Sequence, residues 1–301
     1  MQSEGEGYGM DYETMMREIA RLENDFPALS AEILASSVLG RRIPCLSFGR
    51  GKRAVVYLGA HHGMEHPTSE ILLSFVREIL SSGRNACPFG VSREHLLASR
   101  RYFVVPMVNP DGVSLASDGI ASGGILTERL LRMNRGSRDF TKWQANARGV
   151  DLNHNYDAGF WAYKSLEASL GIEGGGPTRY AGEYPHSEPE SAAVARLLMA
   201  VMPSLILTLH TQGGEIYYTA GGRALVGAEK VARTLARYAG YSAEIPKGAA
   251  AYGGLTDFAV SRLAIPSYTI ECGRGENPLP KSALPAMQRE LRPILWLAPI
   301  L

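Results

Sequence analysis

Cysteine is scarce in this 301-residue chain: Cys45, Cys87 and Cys272 are an odd number with no C-x-x-C spacing. They suggest neither a disulfide framework nor a thiolate metal site, and a reducing compartment fits them best. Cys272 reads as a small buried residue on the far face of a strand. Excess charge is also lacking. Lys and Arg total 31 against 30 Asp and Glu, a formal balance of +1, so no global field holds nucleic acid or an anionic membrane. No stretch approaches the roughly 18 consecutive apolar residues of a membrane helix; Leu205 to Leu209 and Ile294 to Leu301 are far shorter. Met1 to Asp25 lacks the basic start and apolar core of a signal peptide, so a cytoplasmic setting is expected, although a chain trimmed of an export signal would read the same. Linkers, repeats and charge blocks are missing too, so residues 1–301 read as a single domain.

What is present is a large apolar fraction, 45%, with 20% charged residues, enough to bury a substantial core. Helical spacing runs through Tyr12, Met15, Met16, Ile19 and Leu22, through Ile71 to Leu80, and through Ala193 to Met202. Between these lie short continuous apolar runs, Ala54 to Leu58, Tyr102 to Val105, Leu205 to Leu209 and Ser267 to Ile270, which read as strands buried on both faces. The alternation predicts an α/β fold, a mixed β-sheet flanked by helices on both faces. Ligands in such sheets bind beyond the carboxyl ends of strands. Those ends carry polar residues: His61-His62-Gly63-Met64-Glu65-His66, then His210-Thr211-Gln212, then Glu271. Asn109-Pro110-Asp111-Gly112 reads as a turn at the same edge.

His62 and Glu65, two residues apart in the turn leaving a strand, can aim an imidazole nitrogen and a carboxylate oxygen at one cation, and His210 would complete a His2Glu set. Zinc accepts these ligands, and a catalytic site keeps three protein ligands with a fourth position open. His61 and His66 compete for ligation, but a shift to His61 would break the two-residue spacing.

From Tyr12 to about Pro280 the chain resembles the zinc carboxypeptidase family, through Gly40-Arg41-Arg42-Ile43, His62 to Glu65, Asn109 to Gly112, Gly149-Val150-Asp151-Leu152-Asn153, Ser187-Glu188-Pro189-Glu190, His210 and Glu271 in the family's order. In the Ser-Glu-Pro-Glu segment, Ser187 is expected to cap a helix and Pro189 to sit in its first turn. The resemblance implies one zinc ion per chain on His62, Glu65 and His210, with Glu271 moving protons. It also implies a cation for the oxyanion, Arg132 with Arg135 as rival.

The chain departs from digestive members where they clamp a C-terminal carboxylate with asparagine and arginine; it reads Asn153-His154. Imidazole offers one donor and only partial charge where guanidinium gives a permanent bidentate clamp. The pocket floor falls on Thr256, fifteen residues before Glu271, beside Asp257, which favours a polar leaving residue. The family's mobile tyrosine falls on Ala249 by ungapped count, with Tyr252 nearby as substitute. The segments His210 to Tyr218 and Tyr268 to Pro280 are similar to bacterial members that cut between γ-D-glutamate and meso-diaminopimelate. The expected substrate is therefore a small muropeptide, without nucleic acid or membrane partners. Two other readings stand beside it: a metallocarboxypeptidase for polar or basic C-termini, and an inactive wall-fragment binder, against which no ligand or base is missing.

Overall fold

The computed structural model describes residues 10–81 and 89–301, so Cys87 and the first nine residues lie outside what it shows. The described chain holds helices α1 (Tyr12–Asp25), α2 (Pro67–Ser81), α3 (Arg93–Ser99), α4 (Pro110–Asp118) and α5 (Thr127–Met133). Then follow α6 (Phe160–Ser169), α7 (Pro189–Val201), α8 (Ala228–Ala239), α9 (Leu255–Leu263) and α10 (Leu284–Leu297). The strands are β1 (Ser30–Ser36), β2 (Arg42–Phe48), β3 (Arg53–Leu58), β4 (Arg100–Val105), β5 (Leu205–His210), β6 (Glu215–Tyr217), β7 (Ser242–Glu244) and β8 (Ser267–Glu271). They form one sheet in the order β1-β2-β4-β3-β5-β8-β6-β7.

Its centre, β4-β3-β5-β8, is parallel, and antiparallel pairs β1-β2, β2-β4 and β8-β6 surround it, so the sheet is mixed. Side chains alternate faces along a strand, and both faces here are covered. Val55 and Tyr57 enter the core shared with α1, α2, α8 and α10, whereas Val56 and Leu58 enter the core shared with α7 and α9. The four runs read as doubly buried strands are this parallel centre. Cys45 and Cys272 are buried free thiols, Cys272 in the core of the first face. No helix among the described residues is long and apolar enough to cross a membrane.

Two local expectations need correction. Asn109-Pro110-Asp111-Gly112 is the start of α4 and not a turn between strands: the Asn109 carboxamide accepts from Gly112 N (2.9 Å) and caps the helix, with Pro110 in the first turn. Ser187 does not cap α7, whose N-cap is Glu188 with no side-chain cap bond. The Ser187 hydroxyl instead accepts from Asn155 (2.9 Å) and donates to Glu188 (2.9 Å). Pro189 does sit in the first turn.

Candidate metal centre and active-site cleft

Because β3, β5 and β8 run parallel and side by side, their carboxyl ends deliver three chemistry-bearing segments to one edge. After β3 the chain makes one turn of 3-10 helix, Gly63–Glu65, with His62 immediately before it. Backbone crowding demands glycine there: a Cβ on Gly63 would lie 2.3 Å from the Gly112 carbonyl oxygen. Gly63 N and Met64 N donate to the Gln144 and Trp143 carbonyls (3.0 Å each). Asn109 completes the seating, with its amide nitrogen donating to the carbonyls of His61 and Gln144 (3.1 Å each). The turn is thereby held by α4 on one side and the 143–144 segment on the other.

His62 and His210, 148 positions apart in sequence, have ring centroids 4.8 Å apart. His62 Nδ1 lies 2.9 Å from Glu65 Oε1, and His210 Nδ1 lies 3.0 Å from Glu65 Oε2. One donor atom from each of the three residues falls within 4.8 Å of the others. Two imidazole nitrogens and a carboxylate oxygen, with three protein ligands and room for a fourth, match what catalytic zinc accepts. The buried Nε2 of His210 has no hydrogen-bond partner, while that of His62 is 3.2 Å from Asp151 Oδ1. A carboxylate behind a histidine fixes its tautomer, leaving Nδ1 turned to the site. The residues present fit the metal. His61 points elsewhere, with Nε2 3.1 Å from the Tyr156 hydroxyl, and neither it nor His66 joins the cluster.

Electrostatics follow from burial and pairing. Burial alone would raise the Glu65 and Asp151 carboxyls, but His62 and His210 pull the first down, and His62 and His154 hold the second well below the usual carboxylate range. Glu271, paired with His210 across the β5-β8 ladder, goes the other way. Burial pushes it up to about 7; Glu65 and Glu215 add to the rise, and His210 and His62 oppose it.

The cleft over these groups has a volume of about 470 Å³, within the range of small-molecule sites. His62, Asn153, His154, Thr256, Asp257 and Glu271 all line it. Asn153 Oδ1 accepts from Leu255 N (3.0 Å), tying the cleft wall to the start of α9. His154 donates from Nδ1 to the Tyr252 carbonyl (2.9 Å) and stacks on Tyr163 at 3.9 Å; burial lowers its pKa. Thr256 Oγ1 bonds the hydroxyls of Ser267 (2.9 Å) and Thr269 (2.8 Å). Asp257 accepts from Gly254 N (3.1 Å), and burial pushes its carboxyl up to about 7.

Two expected residues are not brought in. Arg132, on α5, and its rival Arg135 are exposed, and neither lines the cleft. Tyr252 does not line it either: its ring lies beside Gly159, where a Cβ would stand 3.0 Å away, and Ala249 and Ala250 occupy that wall. Two residues escaped the sequence reading. Asp151 was visible only as part of a motif, and its place behind His62 had no local signal. Arg179, which lines the cleft, follows Thr178 in a loop without periodicity.

A wide mixed sheet carrying a two-histidine, one-glutamate cluster at the ends of its parallel strands is the architecture of a metallopeptidase. The zinc carboxypeptidase family model (Peptidase_M14) matches residues 15–293, and the chain belongs to that family. Among curated relatives, "Gamma-D-glutamyl-L-diamino acid endopeptidase 1" of Lysinibacillus sphaericus is 32% identical over 281 residues, 93% of this chain and 69% of that one. An uncharacterized protein of Bacillus subtilis, YqgT, is 34% identical over 300 residues, 96% of this chain and 76% of the other. A crystal structure of thrombin activatable fibrinolysis inhibitor has a TM-score of 0.73 at 19% identity, covering 100% of this chain and 75% of that one, and so shares the fold.

Proposed function

We propose that this zinc metallopeptidase hydrolyses the amide between γ-D-glutamate and meso-diaminopimelate in murein peptides, with residues 1–301 acting as one catalytic domain. His62, Glu65 and His210 hold one zinc ion, and Glu271 is the general base. The observation that carries this reading is the convergence of two imidazoles and Glu65 at a cleft in which the adjacent strand end presents Glu271. The substrate is supported by the relation to the Lysinibacillus sphaericus endopeptidase and by His154 standing where digestive members carry a guanidinium.

Zinc, when bound, supplies Lewis acidity at a three-ligand site. Glu271 takes the proton of the attacking water and passes it to the leaving nitrogen as the C–N bond breaks. Asp151 holds His62 with Nδ1 facing inward. Thr256 and Asp257 give the cleft a polar floor, and an ammonium arriving beside Asp257 favours its ionised form. That suits a diamino acid better than a large apolar leaving residue. Recycling of small muropeptides in the cytoplasm is the setting this chemistry fits.

The test is incubation of the zinc-loaded protein with L-Ala-γ-D-Glu-meso-diaminopimelate and with a panel of C-terminally varied α-peptides. Release of diaminopimelate should dominate. Turnover of the α-peptides alone would replace this reading with an ordinary metallocarboxypeptidase.

A further inference from the structure

Hydrolysis beside a γ-linked glutamate puts free carboxylates near the scissile amide: the α-carboxylate of the glutamyl residue on the acyl side, and the carboxylate on the carbon that bears the leaving nitrogen. The cleft must meet such an anion with a cation, and the family-like position for it, His154, does not supply one. Its Nδ1 proton is committed to the Tyr252 carbonyl, and burial lowers the ring's pKa, so the neutral ring offers only an accepting Nε2. Among the described residues, Lys142 and Arg179 are the lysine and arginine that line the cleft. Lys142 is already paired with Glu276 at 3.0 Å.

Arg179 is different in two ways. Its guanidinium makes no hydrogen bond or ion pair with any described residue, although its main chain is fixed on both sides. The Arg179 N–H donates to Asp151 Oδ2 (3.0 Å), the carboxylate that also faces His62, and the Arg179 carbonyl accepts from the Tyr163 hydroxyl (2.8 Å). Tyr163 in turn stacks on His154. The residue is also held at φ +68°, left-handed backbone that a non-glycine residue keeps only where its surroundings impose it and that gathers at binding sites. Local folding alone would favour glycine there. The arginine is kept at a strained, rigidly pinned position with its charge directed to no partner among the described residues.

We infer that Arg179 is the carboxylate-recognising residue of this cleft, a specificity-determining guanidinium that grips a substrate carboxylate next to the scissile amide. The inference rests on the reading of the cleft as a γ-D-glutamyl-diamino acid peptidase site. Planar, permanently charged guanidinium is the side chain suited to a two-point hold on a carboxylate.

The experiment compares three substrates: the free-acid tripeptide, its counterpart with the glutamyl α-carboxylate converted to carboxamide, and its counterpart with the diamino-acid carboxylate beside the scissile nitrogen converted. Wild-type kcat/KM should fall about tenfold or more on one of the two amides, a loss typical of a charge-assisted contact, and the affected arm identifies the carboxylate. In Arg179→Gln and Arg179→Gly the free acid should lose a similar factor, mostly in KM, while that amide changes little, so the acid-to-amide ratio collapses toward one. Arg179→Lys should fall between. Arg179→Gly relieves the backbone, so its Tm should equal or exceed the wild-type value, separating recognition from folding. A ratio unchanged from wild type in both variants, no acid preference in the wild type, or an equal collapse of kcat on all three substrates would overturn the assignment; the last outcome would point to the oxyanion. If the wild type cleaves only ordinary α-peptides, the γ-glutamyl reading fails, and Arg179 is judged by the same ratio on peptides ending in carboxylate against carboxamide.

Discussion

Asp151→Asn is the sharpest probe of the metal centre, because it keeps volume and changes only what the side chain can accept. Asp151 receives three donors: His62 Nε2 (3.2 Å) and Asn153 N (3.2 Å) at Oδ1 and Arg179 N (3.0 Å) at Oδ2, with the Thr178 hydroxyl, whose proton goes to Gln144 Oε1, 3.4 Å from Oδ2. An amide replaces one of these oxygens with a donor, and either orientation creates a conflict. With its nitrogen toward His62, the imidazole must give up its Nε2 proton and carry one on Nδ1, the atom that faces Glu65 and the proposed zinc position. With its nitrogen toward the Arg179 backbone, a buried N–H loses its acceptor at a cost of about 1–3 kcal/mol. The expected result is zinc affinity reduced roughly 10- to 100-fold, about 1.4–2.8 kcal/mol, read by competition with a chelator of known affinity. Turnover measured at saturating zinc should recover only partly, since Asp151 also anchors Arg179. A folded Asp151→Asn protein with zinc affinity within about twofold of wild type would refute the claim that this carboxylate sets the His62 tautomer.

Under the proposed mechanism Glu271→Gln should retain zinc by metal analysis and lose about 100- to 10,000-fold in kcat, since the carboxylate is there assigned both proton transfers. His210→Ala should no longer copurify with stoichiometric zinc, and adding a chelator to the wild type should abolish turnover until zinc is returned. Asn109→Ala removes a helix cap and two further bonds to carbonyls, one buried and one half-buried, so urea unfolding should show a loss of about 2–4 kcal/mol. Burial pushes the Glu190 carboxyl from 4.5 up to about 8, with Asp111 and Glu188 adding to the rise. The folded state therefore keeps a proton that the unfolded chain releases, and stability falls as pH rises from about 4.5 to about 8; Glu190→Gln should flatten that slope in denaturant melts taken across the window.

The parts of the fold legible in sequence were those where burial imposes a pattern. The central strands β3, β4, β5 and β8 announce themselves as continuous apolar runs because both faces are covered, and α1, α2 and α7 show a single apolar stripe. Edges gave less. β1 is mostly solvent-facing, and β6 and β7 are three residues each, too short for a period of two to register. The α4 segment misled because Pro110 and Gly112, ordinary turn signals, are here a first-turn proline and a glycine demanded by close approach to Asn109 and Ala145. The proposed zinc ligands could be read because each sits at the end of a recognisable strand. Asp151 and Arg179 could not, since what defines them is a partner far away in sequence and, for Arg179, a backbone angle that no side-chain pattern encodes.

Most of the motif residues that carry the family resemblance touch neither a proposed zinc ligand nor the cleft. Asp111 gathers Ser37 Oγ, Leu39 N and Arg41 Nη1, each at 2.8 Å, binding the Gly40–Ile43 segment to the start of α4. Glu188 and Glu190 hold the Asn146 amide at 2.8 and 3.3 Å, and Asn146 Oδ1 receives the N–H groups of Arg148 and Val150, one residue before Asp151. These are braces: they fix the loops that carry His62 and Asp151, and they would be needed whatever peptide is cut. Motif resemblance therefore carries the proposed metal scaffold but not the substrate, which in the proposed reading is chosen by side chains outside the braces. His154, Asp257 and Arg179 are such side chains, all lining the cleft. It follows that exchanging these three toward the residues of a digestive relative should move substrate preference while leaving zinc affinity and Tm near wild type, whereas exchange of a brace such as Asp111 should lower Tm and zinc affinity together without changing preference.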